Sequence, residues 1–279
     1  MSTLTAEKPS VEKRSTGERF ADRARLAGKR WGAGVIGILA VLILWSMAGH
    51  FEWFKGTIPT PWAVIETIHE KGWEYYAHNF GPTIEMSLRG FFWGNVLAIG
   101  LALLVIVIPL IEGVATQLAI ISYCTPIIAV APIIQVAFAE VQTMIVFLAA
   151  ISVFFTTMIG TLSGLRSPPQ ASLDLVKVYG GGTISQLVRV RVVSALPATF
   201  AALKIAAPAA VLGAVLGEFL AMPEQGAGPA LIISQQAGDI PAVWAIALIT
   251  GAVAGIGYAI VAVISVYVTR YSTGMAGSK

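Results

Sequence analysis

Charged residues are scarce in this sequence. Asp, Glu, Lys and Arg make up 12% of its 279 residues, about half of the roughly 25% found in soluble domains. Hydrophobic residues account for 56%, and the mean hydropathy is +0.78. The chain therefore lacks the polar shell that a water-soluble core of this size needs. This excludes an ordinary cytosolic enzyme and indicates a polytopic membrane protein.

Cysteine and nucleotide-binding signals are almost missing too. The single Cys124 excludes disulfide bonds within the chain and cysteine-based metal clusters, and its apolar surroundings predict a small packing residue. No G-x-x-x-x-G-K-[ST] motif is present, so the chain is not expected to hold ATP by itself. The three histidines, His50, His69 and His78, fall in or near one polar connection. They are expected to be interfacial residues, and no metal or catalytic centre is predicted.

What the sequence does contain is long apolar runs. Six segments are long enough to cross about 30 Å of hydrocarbon as helices, namely 32–51, 87–111, 113–138, 141–162, 200–221 and 242–269. The short polar breaks at Glu112 and Glu140 predict two tight helical hairpins. The predicted fold is all-α with six transmembrane helices, in which a polar cytoplasmic tail at 1–30 precedes a membrane domain at 31–279.

The distribution of positive charge predicts the orientation of these spans. Eight of the 18 Lys and Arg residues lie in the 1–30 tail. With the N-terminus inside, the cytoplasmic side receives 15 basic residues and the outer side three, which are Lys55, Lys71 and Arg89. Both termini and the 163–199 connection are therefore predicted to be cytoplasmic, and the 52–86 connection external.

The outer connection opens with Ile58-Pro59-Thr60-Pro61. Two prolines in three residues predict an extended start, and Pro61 suits the first turn of a short helix through Tyr76. The tryptophans and tyrosines of this connection are typical of a segment at the lipid headgroup level. The alternative is a docking surface for an extracytoplasmic partner.

Small residues recur within the spans at four-residue spacing. The pairs are Gly90 and Gly94, Gly213 and Gly217, and Gly251 and Gly255. Such pairs let helix backbones approach closely, either within one bundle or at a subunit interface. Ionisable residues inside the spans are few, and they are Arg89, Lys204 and Glu218. This scarcity disfavours a proton-coupled carrier.

The cytoplasmic connection, 163–199, carries the most informative pattern. Residues 173–179 predict a two-turn helix, and the glycines at 180–182 predict a turn because glycine enters positive φ freely. Residues 184–193 then predict a helix that re-enters the bundle, with Pro197 at its end. A short helix held in this way suits a lever that lodges in a soluble partner; an amphipathic connector is the alternative.

This loop resembles the coupling loop of a known family. The family pattern is E-A-A, three residues, G, nine residues, I-x-L-P. With its glycine at Gly180, the pattern falls on Asp174, Leu175 and Val176, then on Val190 and Val192, and Val193 replaces the proline. The loop is thus similar to that of permease subunits of binding-protein-dependent ABC importers, in the nitrate, sulfonate, taurine and thiamine-precursor branch. Only the glycine is identical.

Further motifs of that branch flank the loop in the right order, over roughly 58–269. They are Ile58-Pro59-Thr60-Pro61, Ser87-Leu88-Arg89-Gly90, Gly164-Leu165-Arg166-Ser167, Ala195-Leu196-Pro197, Leu203-Lys204, Gly217-Glu218-Phe219-Leu220 and Gly226-Ala227-Gly228. They resemble L-P-S-P, S-L-x-R-x-x-x-G, G-L-R-S, A-L-P, G-L-R/K, E-F/M-L and G-L-G respectively. The agreement in order makes coincidence an unsatisfactory explanation.

The resemblance implies a type I importer permease in a bacterial inner membrane, surrounded by lipid. Its expected partners are a second permease subunit, identical or not, two ATPase subunits that carry ATP and Mg, and an extracytoplasmic binding protein. Neither catalysis nor nucleic-acid binding is expected of this chain. The expected substrate is a small anion such as a sulfonate, taurine or nitrate, or a heteroaromatic vitamin precursor.

The resemblance also assigns roles to residues. ATPase coupling is expected of Asp174, Val176, Lys177, Tyr179, Gly180, Gly181, Val190 and Pro197. Glu218 and Arg89 are the candidate pathway or gate groups, and a solvated helix end is the alternative for Glu218. The competing functions are a secondary carrier or channel, an integral membrane enzyme, and a scaffold. Transport that survives loss of the ATPase would favour the carrier.

Overall fold

The computed structural model describes residues 34–53 and 55–273, with side chains up to Arg270. The predicted tail at 1–30 lies outside these residues. Within them every regular element is a helix, and the chain divides into two compact units, 1–63 and 64–279. The prediction of an all-α chain is confirmed.

The first unit contains helix α1, Gly34–His50, and the segment that follows it. The Trp45 indole N–H donates to the Pro59 carbonyl over 2.9 Å. At Gly49 an added Cβ would lie 2.7 Å from the Thr60 backbone nitrogen, so only glycine permits this approach of the returning chain. Thr60 then accepts a hydrogen bond from the Ala63 amide over 3.3 Å, which caps the following helix.

The remaining helices follow in chain order. They are α2 (Pro61–Val107), which begins at the end of the first unit, α3 (Glu112–Cys124), α4 (Ile127–Ala137), α5 (Val141–Arg166), α6 (Gln170–Val178), α7 (Thr183–Ala221), α8 (Ala227–Gln236) and α9 (Ile240–Thr273). A 3-10 turn at Pro109–Ile111 precedes α3, and α7 contains one π-helical turn at Leu187–Arg191.

Four of the described helices, α2, α5, α7 and α9, are long and apolar enough to cross a membrane, or up to five spans if α3 and α4 count together. The predicted count of six is not reproduced. The 113–138 span was expected to be one helix, but it is two helices bent by 106°. Thr125 is extended because the ring of Pro126 disfavours helical backbone in the preceding residue. In addition, α1 is short over its described length, and the first residues of the predicted 32–51 span lie outside the described part.

Two other predicted boundaries are wrong. The outer helix that begins at Pro61 does not run to Tyr76, because Gly72 has non-helical backbone angles (φ 71°, ψ 168°) and kinks α2 there. The second helical part of α2 then continues through Tyr76 into the second span. Likewise Pro197 does not end the helix that leaves the cytoplasmic connection, because α7 continues through it to Ala221. A proline removes one helical hydrogen bond, and close packing of α7 on α5 holds the helix together across this position.

Helix α5 forms the centre of the second unit, and its contact with α7 is the most extensive between helices. Small residues make this contact possible. An added Cβ at Gly164 would lie 3.0 Å from Ala195 Cα, and one at Gly213 would lie 2.9 Å from Ala149 Cα. Helix α2 approaches α5 from another side, where a Cβ at Gly94 would lie 2.6 Å from the Ala150 carbonyl oxygen.

The three glycine pairs therefore differ. Gly90 and Gly94 lie against α5, and so do Gly213 and Gly217. The third pair, Gly251 and Gly255, is exposed on α9 and has no other part of the described chain within 4 Å of an added Cβ. Packing within the bundle thus accounts for the first two pairs only.

Candidate functional site

Helix α6 is anchored to the bundle on one side. Leu173 is its buried residue, and the Gln186 side-chain amide donates to the Leu173 carbonyl over 3.1 Å. Arg191 donates to the Leu165 carbonyl over 3.0 Å, which fixes the start of α7 to the end of α5. A helix of nine residues is too short to be stable alone, so these contacts hold it in place.

A glycine turn ends α6 in a Schellman arrangement. The Gly181 amide donates to the Val176 carbonyl over 2.8 Å, and the Gly180 amide donates to the Lys177 carbonyl over 2.8 Å. Gly180 has φ +80°, the left-handed conformation that glycine adopts without steric cost. At Gly181 an added Cβ would lie 2.5 Å from Val176 Cγ1, so side chains are excluded there for lack of space.

The outer side of α6 and the adjacent start of α7 expose an apolar surface, which we call the loop patch. It consists of Leu175, Val178, Tyr179, Ile184 and Val188, of which Tyr179 is 83% exposed. A groove of about 450 Å³ lies beside it, between α6 and the first turns of α7. Exposed apolar clusters of this kind mark interaction surfaces.

The other predicted coupling residues are distributed around this patch. Asp174 and Lys177 form an exposed ion pair at 3.6 Å, and Val176 is half-buried beside the glycine turn. Val190 lies in the π-helical turn and Pro197 lies within α7. These last two belong to the returning helix rather than to the exposed surface.

Glu218 lies near the opposite end of α7 and is completely buried, at 0% exposure. Its Oε2 accepts hydrogen bonds from the Thr83 hydroxyl and from the Gly228 amide, each over 3.0 Å. The Thr83 oxygen in turn accepts from the Ala227 amide over 2.9 Å. The carboxylate therefore caps the first turn of α8, where free amides favour negative charge, and it joins α2, α7 and α8.

Glycines allow the chain to wrap around this carboxylate. Gly226 has φ +152°, and an added Cβ would lie 2.8 Å from Glu218 Cδ. At Gly228 an added Cβ would lie 2.6 Å from the Phe219 backbone nitrogen. The alternative interpretation of Glu218 as a solvated helix end is thus wrong, because the side chain is completely buried.

Thr83 was not among the residues predicted to form the site. The only sequence signal for it is its position on the face of α2 that carries Gly90 and Gly94, at spacing i, i+7, i+11. A second missed polar contact lies further along α2, where the Thr157 hydroxyl of α5 donates to Asn95 Oδ1 over 2.5 Å. A hydroxyl on the glycine-lined face of α2 was therefore the available signal for Thr83, whereas Asn95 lies on a different face and had no such signal.

Arg89 lies elsewhere on α2. It is exposed and forms an ion pair with Glu85, one turn before it on the same helix. The structure does not bring Arg89 and Glu218 together, so the two candidate pathway groups do not form one site. Like Gly94, which follows it by five residues, Arg89 belongs to the part of α2 that passes α5.

Comparison with known proteins identifies the chain. Residues 94–271 match the sequence model of the family described as "Binding-protein-dependent transport system inner membrane component". The chain belongs to this family. The matched stretch contains α6, the glycine turn, Glu218 and α8, and it confirms the resemblance inferred from the loop motifs. The chain is therefore a permease, a membrane-spanning transport subunit and not an enzyme.

Individual relatives agree. The permease is 29% identical over 191 residues to a "Probable ABC transporter permease protein" of Haemophilus influenzae, covering 68% of this chain and 77% of the relative. It is 26% identical over 186 residues, 67% of this chain and 74% of the relative, to the "Formylaminopyrimidine transport permease protein ThiX" of Halalkalibacterium halodurans. It is 31% identical over 123 residues, 44% and 46% respectively, to the "Riboflavin transport system permease protein RibX" of Chloroflexus aurantiacus. Permeases of this kind work with ATPase subunits and a substrate-binding protein.

Proposed function

We propose that the permease imports a planar nitrogen-containing heteroaromatic solute, in the class of vitamin precursors. The names of two relatives support this class, since one transports formylaminopyrimidine and the other riboflavin. Small anions such as taurine, other sulfonates or nitrate are the second candidate, supported by the branch that the sequence motifs resemble. ATP-dependent uptake into proteoliposomes that contain the assembled importer and its binding protein tests the choice. ATP-dependent uptake of an aminopyrimidine or a flavin supports the proposed solute class. Uptake of taurine or nitrate alone contradicts it.

The proposed assembly contains a second permease subunit, identical or homologous, and two ATPase subunits. The ATPase subunits, and not this chain, bind ATP and Mg. It lies in a bacterial inner membrane with both termini cytoplasmic. The distribution of basic residues supports this orientation: Arg166, Arg189 and Arg191 lie around the loop at the end of the bundle away from Glu218.

Cysteine labelling tests this orientation. In a Cys124→Ser background, Gly182→Cys places a thiol in the cytoplasmic loop, and Trp73→Cys places one at an outer residue that is 84% exposed. An impermeant thiol reagent added to intact cells should label the Trp73→Cys permease only. Labelling of both from the same side would contradict the proposed topology.

The loop patch is the proposed contact with the ATPase, and it is the observation that carries the coupling mechanism. It is apolar and exposed, and it lies on a helix whose other side is fixed by Leu173 and Gln186. Because both ends of α6 are held, by Pro169 before it and the Schellman turn after it, a push from a bound ATPase moves α6 as a rigid body. The returning helix α7 then transmits that push into the membrane.

Two substitutions and two matched controls test this mechanism. Tyr179→Ala removes the most exposed ring of the loop patch, and Gly180→Val forces a β-branched residue into positive φ at a cost of roughly 1–3 kcal/mol. The controls are Tyr267→Ala, an exposed tyrosine on α9, and Gly182→Val, where φ is −80° and space is open. Both test variants should reach the membrane in normal amounts but retain less ATPase and lose uptake, whereas the controls should not. ATPase retention and uptake at the unmutated level in both test variants would show that α6 is only a connector.

A further inference from the structure

The break between α3 and α4 interrupts the backbone inside the membrane-spanning bundle. The two helices meet at 106° across Thr125 and Pro126. Neither the family comparison nor the coupling loop assigns a function to this break. Its depth, its free backbone groups and its exposure together point to one.

Contacts with α5 fix the depth of the break. The Tyr123 ring stacks on Phe155, with centroids 4.5 Å apart and an angle of 26°. At the break itself, a groove of about 270 Å³ is lined by Ser122 and Thr125 together with Leu148 and Ile151 of α5. At 1.5 Å per residue, Leu148 and Phe155 lie more than about 10 Å from either end of α5. The break is therefore inside a hydrocarbon layer that is about 30 Å thick.

The break leaves backbone groups without helical partners. Pro126 has no N–H, so the Ser122 carbonyl lacks the donor that a continuous helix would supply. The carbonyls that follow it at the end of α3 and the first amides of α4 also lie beyond the helical hydrogen-bond pattern. No side chain caps the start of α4. Irregular backbone at this depth is stable only where protein buries it or water reaches it.

The described residues of this chain do not bury the break. Cys124, the last residue of α3, is exposed, and Tyr123 is 69% exposed. Polar groups and open backbone on an exposed surface at mid-depth are incompatible with lipid. In secondary transporters, interrupted helices of this kind lie where the solute passes.

We propose that the α3–α4 break lines the water-filled translocation path about halfway through the membrane. The free carbonyl acceptors and amide donors of the break contact a polar solute that carries both hydrogen-bond donors and acceptors. This solute class rests on the proposed function. The path assignment itself needs only that the chain is a permease. By contrast, the groove of about 370 Å³ between α2, α7 and α9 is lined by apolar side chains with the single exception of Ser87, and it is expected to stay dry.

Cys124 makes this proposal directly testable, because it is the only cysteine of the chain and lies at the break. The assembled importer is placed in lipid nanodiscs, where both faces of the bilayer are open to reagent. A charged methanethiosulfonate is then added, and the modified fraction of this chain is followed by mass spectrometry. Two controls are made in a Cys124→Ser background: Trp73→Cys as a solvent-exposed thiol away from the proposed ATPase contact, and Ile256→Cys on the dry groove of α9.

Because only the hydrated thiolate reacts, we expect Cys124 to be modified within about 10-fold of the rate of Trp73→Cys and more than ~10-fold faster than Ile256→Cys. Modification of Cys124 as slow as that of Ile256→Cys would overturn the proposal and would mean that lipid or the second subunit covers the break. This result does not depend on the solute. A failed uptake assay with aminopyrimidines or flavins would therefore contradict the proposed solute class and leave the path assignment standing.

Discussion

Replacing Glu218 by alanine should loosen α8 from the membrane bundle. The Glu218 carboxylate accepts two hydrogen bonds, from the Thr83 hydroxyl and the Gly228 amide, and no water reaches it at 0% exposure. A hydrogen bond contributes about 0.5–1.5 kcal/mol, and about 1.5–3 kcal/mol where the acceptor is charged. After the substitution the Thr83 hydroxyl still has the Asn79 carbonyl at 3.2 Å as an acceptor. The Gly228 amide loses its partner, so we expect a loss of about 2–4 kcal/mol.

Glutamine at the same position should cost less. Glu218→Gln keeps an oxygen that can accept from Gly228, but it places an amide NH2 where Oε1 has no hydrogen-bond partner among the described residues. An unpaired buried donor costs about 1–3 kcal/mol. The expected order of stability is therefore the native residue, then glutamine, then alanine.

Hydrogen exchange measured by mass spectrometry on the α8 peptides, together with thermal unfolding in detergent, gives the readout. Glu224→Ala is the matched control, because Glu224 is exposed in the same connection. Unchanged exchange in α8 and an unchanged melting temperature in Glu218→Ala would refute the capping role. Uptake then separates a cap from a gate: a cap loses uptake only as far as α8 loses protection, whereas a gate loses uptake in Glu218→Gln even when α8 stays ordered.

Two further predictions concern packing and coupling. Gly94→Val should lower the folded yield and reduce the free energy of unfolding by roughly 1–3 kcal/mol, because the added side chain overlaps α5. Its control is Gly251→Val, in open space on α9, which should leave the stability of the monomer unchanged. Equal effects of the two substitutions in a detergent melting assay would contradict the packing of α2 on α5. Gln186→Leu should release α6 and weaken co-purification of the ATPase while the bundle stays folded, because it removes the hydrogen bond to the Leu173 carbonyl. Gln170→Leu, at the exposed start of α6, is its control, and retention of the ATPase in both variants would show that the anchor is dispensable.

Several features could be predicted from the sequence because their physical causes are local. A run of some 20 uncharged apolar residues has one stable environment, so the membrane class followed from composition and length. Gly180 was identified as the turn because only glycine adopts positive φ at no cost, a property of the residue itself. The family could also be recognised from the sequence, since its motifs are short local segments that keep their order along the chain.

Other features were decided only by the tertiary structure. Pro126 was visible within the predicted 113–138 span, but apolar residues continue on both sides of it. A proline in a membrane helix is compatible with either a kink or a break, and the packing of α4 on α5 and α7 decides between them. Composition carries no information on that packing.

Glu218 is the strongest example. Its partner Thr83 lies 135 residues earlier, and the amides that complete its site belong to a third helix. The sequence indicates a costly carboxylate near the bilayer, yet it does not indicate whether water or protein receives it. Burial of a charge depends on donors that converge in space from distant parts of the chain, and only the folded arrangement of α2, α7 and α8 brings them together.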